Sequence, residues 1–247
     1  MAKNIGPIQF TGKLGDISGR STSFGNILQT PGGFKGERIK TEDRYIKTRQ
    51  LNSEFSRCAK ISSVLYKSLS WHLKTIPDTY VYGHIQGRIC AIKECDEQSP
   101  KGEKTVARGL ATQKGQSLLR GFSFNRKRDM TPALMISARF SLDEGRLSLP
   151  QFDVTRAVSP KGAKHLGLQL VLLRLDTETP AVGVALSEMV FMPLDSERKD
   201  IVLQAALPEG EGMLIGLLYA GFCGEDHGEL FWRRDWRNSL GVVGMEV

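Results

Sequence analysis

The sequence predicts an α+β protein: an N-terminal β meander and helical hairpin followed by an antiparallel β-sandwich. Three observations carry the prediction. Apolar residues recur at steps of three and four only between Thr41 and Asp96, which is the spacing of one helical face. Beyond Gly115, short apolar segments separated by turn residues return about every ten to fifteen positions, the rhythm of an antiparallel sandwich or barrel. Between these parts, the polar run 98–115 carries Pro100, Gly102, Gly109 and Gly115 and reads as a linker, so the expected units are residues 1–97 and 116–247.

From Ile5 to Pro31 the chain is rich in Gly, Ser and Thr. Ile8 and Phe10, Leu14 and Ile17, then Phe24 and Ile27 mark two or three short strands, with turns at Gly12, Gly15, Gly19 and Gly25. A meander this small is marginal alone and needs a surface to pack on, within the chain or on a neighbour. Pro31 to Gly36 is expected as a loop, and Glu37 to Gln50, a run of alternating charges, as a solvated connector or early helical turn.

The first helix follows from Leu51, Phe55, Cys58, Ser62, Leu65, Leu69 and Leu73, with Val64 widening the stripe. Thr48 or Asn52 is placed to cap its start, Glu54 falls in the expected first turn, and Lys67 and Lys74 lie near the end that favours cations. Pro77 closes it. Val81, Ile85, Ile89, Ile92 and Cys95 then share a second face, weakened by Gly83 and Gly87 at about 1 kcal/mol each. The link from Thr75 to Thr79 is short, so the two helices are expected antiparallel, with Leu65, Leu69, Ile85 and Ile89 near the seam.

The expected strands of the second part are 117–124, 133–140, 146–152, 166–175, 182–192, 201–207, 213–222, 229–232 and 240–247. Alternation is plain in Leu134, Ile136, Ala138 and Phe140, and again in Leu166, Leu168, Leu170 and Leu172. Residues 213–222, MLIGLLYAGF, are apolar on both faces, as in a central strand covered on both sides.

Composition narrows the function classes. With 40% hydrophobic and 25% charged residues the chain resembles a soluble protein, and no apolar run approaches the ~20 residues that span a bilayer. No membrane insertion is expected. The N-terminal stretch has no apolar core of a signal peptide, so a cytoplasmic protein with Cys58, Cys90, Cys95 and Cys223 reduced is expected. Residues 1–70 hold twelve Lys and Arg against five Asp and Glu, and the remainder is balanced, so the entire +7 is N-terminal. Arg38, Lys40, Arg44, Lys47 and Arg49 are the densest part of it and the expected partner-binding cations. They suit nucleic acid or an acidic protein surface; sparse aromatics among them favour the protein contact. Trp232, Arg233, Arg234 and Trp236, where aromatics and arginines interleave, form the second expected partner-binding set, again suited to a protein interface before a nucleic acid.

No reaction is spelled out. His72, His84, His165 and His227 lie in separate segments, none beside a serine or cysteine in a catalytic pattern, and GVALSEM around Ser187 lacks the second glycine of a nucleophile elbow. GPIQFTGKL fails as a phosphate loop because Gly6 is one residue too far from Gly12 and Lys13 and because Leu14 replaces the hydroxyl. Asp143 with Glu144, and Glu225 with Asp226, sit beside glycine as turn residues do. Neither the Cys90 to Cys95 spacing nor Cys223 with His227 matches a zinc pattern, and no cofactor is expected.

The order of parts resembles an uncharacterised family of small bacterial proteins. The resemblance rests on Gly6 to Arg20, PGGFKGERIK, TRQLNSEFSRCAKISSVL, GFSFN at Gly121 to Asn125 and the ending NSLGVVGMEV. It implies the architecture and transfers no active site. The expected function is therefore that of a non-enzymatic structural protein that self-assembles or joins other subunits of a larger, phage-like particle or filament. A nucleic-acid-binding protein using the basic N-terminal half is the alternative.

Overall fold

A computed structural model describes residues 2–3, 5–6, 9–30, 36–127, 129 and 131–246. Ile8 and positions 31–35 of the expected loop lie outside the described residues. The chain divides into two compact units, Met1–Arg49 and Gln50–Val247.

The first unit holds β1 (Ala2–Lys3), β2 (Gly12–Leu14), β3 (Ile17–Thr22) and β4 (Gly25–Gln29) in one antiparallel sheet of order β1-β4-β3-β2. Leu14 pairs with Ile17 across a turn in which Gly15 takes φ +57°, a left-handed value that favours glycine. The meander is thus present, although Phe10 belongs to no strand. It lies against Gly19, where a Cβ would run into the Phe10 carbonyl and ring. Gly19 is the one buried residue among those described in this unit. The charged run 37–50 is more ordered than a connector: it forms α1 (Gly36–Thr41), a 3-10 turn (Asp43–Tyr45) and the start of α2 (Ile46–Ser68).

In the second unit α2 continues through α3 (Ser70–Lys74), and α4 (Val81–Glu94) returns antiparallel to it. Glu54 meets Lys93 and Tyr66 meets Tyr82 across the hairpin. Cys58, Ser62, Leu65, Leu69 and Leu73 are buried as their spacing predicts, but Leu51 and Phe55 are exposed and Glu54 is buried in their stead. Because α2 begins at Ile46, Thr48 and Asn52 do not cap it and Glu54 is well past the first turn. On α4, Val81, Ile85, Ile89 and Ile92 point inward, and a Cβ at Gly83 or Gly87 would meet nothing.

Residues 98–115 are not a spacer. Asp96 accepts from the amides of Ser99 (3.1 Å) and Thr105 (3.0 Å), which folds the polar loop back on the hairpin. Thr105 then caps α5 (Val106–Leu110), whose Val106 and Leu110 join the core, and Thr112 caps α6 (Gln113–Arg120). At Gly109, α5 approaches the Ile92 carbonyl so closely that only glycine fits. The expected strand 117–124 is corrected in its first half, which is the end of α6; its last residues do pair, Ser123 bridging Gly241 of the C-terminal strand, with Phe124 donating to the Leu240 carbonyl (2.8 Å). The strand expected at 133–140 is also corrected. Asp129 accepts the Thr131 amide (3.0 Å) and Pro132 follows, a helix-start signal that yields α7 (Thr131–Leu134). Leu134 is buried, Ile136 is exposed, and pairing begins only at β5 (Arg139–Ser141).

The remaining strands are β6 (Arg146–Phe152), β7 (His165–Asp176), β8 (Ala181–Leu186), β9 (Val190–Pro193), β10 (Lys199–Gln204), β11 (Met213–Asp226), β12 (Glu229–Trp232) and β13 (Ser239–Glu246). They build a three-stranded sheet, β10-β6-β5, and a six-stranded sheet, β12-β11-β7-β8, to which β9 adds on β7 and β13 on β11. All pairings are antiparallel. The spine is β7 on β11, in register from Leu175 with Met213 to His165 with Cys223. Alternate side chains serve two cores. Val171, Leu173, Ile215, Leu217 and Tyr219 pack under the helices, whereas Leu168, Leu170, Leu172, Leu218 and Phe222 pack on Leu147, Leu149, Phe152, Ile201 and Leu203. The second unit is therefore helix on sheet on sheet, and MLIGLLYAGF is covered on both faces as its composition predicts.

Candidate functional site

The arginines of α1, the 3-10 turn and the start of α2 are engaged locally, by the Glu42 carboxylate and by backbone carbonyls. Arg38 and Arg44 both hold Glu42, at 2.5 and 2.6 Å, and Arg49 donates to the carbonyls of Ile39 and Glu42, each at 2.9 Å. Arg49 thereby ties the 3-10 turn to α1. Lys40 and Lys47 are exposed, with no ion pair among the described residues. In the sheet of the same unit, Leu14 and Phe24 are 66% and 56% exposed, and Ile17 is half-exposed. β2 and the two-residue β1 are its edges.

The C-terminal set is split by the structure. Gly167 of β7 and Gly221 of β11 face each other in register on the helix side of the spine. Together they leave a flat floor, and Trp232 lies on it: a Cβ at Gly167 would sit 2.6 Å from the indole, and one at Gly221 would strike both Trp232 and the Tyr219 hydroxyl. Trp71, from α3, meets Trp232 edge-on with centroids 5.2 Å apart, and Phe191, from β9, lies 5.6 Å away on another side. Trp236 instead stacks under Arg237, whose guanidinium is 4.5 Å from its ring and 3.3 Å from Asp235. Arg233 donates to the Gly162 carbonyl (3.3 Å), and Arg234 is exposed.

Beneath the rings runs a buried polar network. His72 Nε2 donates to Gln169 Oε1 (2.9 Å), and the Gln169 amide donates to the Ser187 carbonyl (2.9 Å). Burial holds the imidazole below its ordinary pKa, partly opposed by the Gln169 contact, so His72 is neutral and its Nδ1 lacks a hydrogen bond among the described residues. Tyr219 donates to Thr75 Oγ1 (3.0 Å), and burial raises its phenol above the ordinary value. Asn238 donates to the carbonyls of Thr75 and Arg233, which pins the turn after β12 to the end of α3. Apart from His72 Nδ1, these groups are matched to one another as a structural network is. The Ser187 hydroxyl donates to the Glu188 carbonyl and accepts from the Leu170 amide, and it reaches His72 only by way of a backbone carbonyl and Gln169.

The other histidines lie apart: His84 contacts the Ser123 carbonyl at 2.9 Å, His165 is 3.9 Å from Glu225, and His227 is 3.7 Å from Asp226 on an exposed turn. Among the described residues no cluster of three or more His, Cys, Asp or Glu is placed to hold a metal ion. No helix among them is long and apolar enough to cross a membrane. Sequence reasoning missed Trp71, His72, Gly167 and Tyr219. The available signal was glycine inside two apolar strands, which marks the close approach of another group.

The chain is an α+β protein whose exposed features are an N-terminal sheet and an aromatic patch. No family model, no curated protein and no solved structure matches it.

Proposed function

We propose that this is a non-enzymatic structural protein that assembles, with further copies of itself or with other subunits, into a larger particle or filament, and that the N-terminal sheet is part of the contact. The observation that supports this reading is the sheet's missing core. Four strands form, yet Leu14, Ile17 and Phe24 are exposed and Gly19 alone is buried among the described residues of the unit. Uncovered strand edges and apolar faces invite pairing with another chain. The proposed partner of this sheet is a second copy of the chain. The four unpaired cysteines support a reducing compartment, the cytoplasm, as its place.

Light-scattering mass of the full chain tests the proposal. A species larger than one chain at micromolar concentration is expected, and Leu14→Glu with Phe24→Glu should return it to a folded monomer. One-chain mass for the unsubstituted protein across that range refutes assembly.

A further inference from the structure

The Gly167–Gly221 floor is covered by Trp232, with Phe191 beside Gly167 and the Tyr219 hydroxyl beside Gly221. Trp71 and Phe191, 45% and 37% exposed, both pack on that indole, at 5.2 and 5.6 Å between centroids. The rings are not free to collapse. Trp232 is seated on backbone, Phe191 is fixed by pairing with Gly167, and Trp71 is held by α3.

The rim is cationic. Arg233 and Arg234 follow Trp232 directly, and the amide of Asp235 donates to the Thr75 carbonyl (3.1 Å), which brings that segment beside Lys74 at the end of α3. In the segments that carry these cations, Asp235 pairs with Arg237 at 3.3 Å and Asp78 with Arg126 at 2.8 Å. Lys74, Arg233 and Arg234 form no ion pair among the described residues.

We infer that this patch is a stacking platform for single-stranded nucleic acid, with bases on Trp71, Trp232 and Phe191 and phosphates on Lys74, Arg233 and Arg234. The occupant must bring flat apolar faces and negative charge in alternation. Single-stranded nucleic acid does so at every nucleotide, whereas a duplex hides its base faces and an acidic peptide carries charge without a ring at each residue. The N-terminal sheet of a second copy is a poor match, because Lys13 and Arg20 outnumber Asp16 there and would meet the cationic rim. The inference does not depend on self-assembly.

Titration of the full chain with a labelled oligothymidylate at low salt, read by anisotropy and by tryptophan quenching, tests it. Trp71→Ala should weaken binding roughly tenfold, with Phe191→Ala as an independent second variant should the first melt early. Lys74→Ala combined with Arg234→Ala should reduce the slope of log K against log salt by about 1.4, the loss of two phosphate contacts to a single strand. Absence of binding at low salt overturns the inference. So do unchanged affinity and slope in all these variants, which would move the contact to cations such as Lys40 and Lys47. Polyglutamate binding as tightly, and weakened equally by Trp71→Ala, would make the patch an acidic-peptide site and overturn it as well.

Discussion

Lys93 Nζ lies 2.5 Å from Glu54 Oε2 across the helical hairpin, and both side chains are almost wholly buried. Glu54 also accepts the Gly102 amide through its other oxygen (2.6 Å), so one carboxylate fastens both the returning helix and the loop that follows it.

Lys93→Met leaves the Glu54 carboxylate buried without its counter-ion and should cost about 3–5 kcal/mol in denaturant unfolding, Glu54→Gln should cost less because Lys93 keeps Glu94 at 2.6 Å, and replacing both by Met should cost less than Lys93→Met alone. Burial raises the Glu54 pKa, but the Lys93 and Gly102 contacts outweigh it and hold the carboxyl below its ordinary 4.5. Its stabilisation is complete above that value and is lost as pH falls through the lower folded one. Acid titration of stability should therefore be shallower in Glu54→Gln; an identical profile would contradict the pairing.

His72 acts at a higher pH. Burial depresses its folded pKa below 6.5, so the unfolded chain binds the proton more readily and stability drops as pH falls below about 6.5. His84 is shifted the same way, again by burial first. Melting temperatures between about pH 7.5 and about pH 5.5 should fall in the unsubstituted protein and fall less in His72→Gln and in His84→Gln. A flat profile in the unsubstituted chain would contradict this.

Leu65 is 5% exposed on the hairpin seam, while Phe55, nearly three turns earlier on the same helix, is 57% exposed. Leu65→Ala should lower stability by about 2–5 kcal/mol. Phe55→Ala and Lys67→Ala should each change it by less than about 1 kcal/mol, being surface substitutions. Coincident urea midpoints for the three variants would show the helix in another phase.

Thiol reactivity should separate the cysteines. Burial first, then the neighbouring Cys90, pushes Cys58 up to about 12, and burial pushes Cys223 up to about 11. Cys90 is partly exposed. Alkylation of the native protein should therefore begin at Cys90, and alkylation after non-reducing denaturation should add four groups. Two or none would establish a disulfide.

The parts legible in the sequence were those where one physical signal acted alone. The period of Leu65, Leu69, Leu73 and of Val81, Ile85, Ile89 fixed a buried face because the whole face meets apolar strands. MLIGLLYAGF announced a central strand for the same reason. Misreadings arose where two signals competed. Thr112 and Asp129 start helices that run on into segments whose apolar residues suggested strands, and there the capped helical turn takes the first part of each segment. Leu51 and Phe55 were placed inward on pattern, but the partner offered at that height is the ammonium of Lys93, so the carboxylate of Glu54 takes the buried position. The aromatic patch was half legible: Trp232 and the arginines stand together in sequence, while Trp71, Phe191 and the glycine floor come from segments far apart.

The covering of the helical hairpin by β7 and β11 has a consequence for how the chain is made. The face of Leu65, Ile85 and Ile89 leaves the ribosome first, yet Ile215 and Leu217, which close over it, follow roughly 120 residues later, an interval on the order of 10 s at about 5–20 residues per second. Throughout that interval a greasy two-helix fragment is presented to the cell without its lid. Nascent chains of this protein should therefore be clients of ribosome-associated holdases, and slowing translation should hurt their yield more than it hurts the finished molecule.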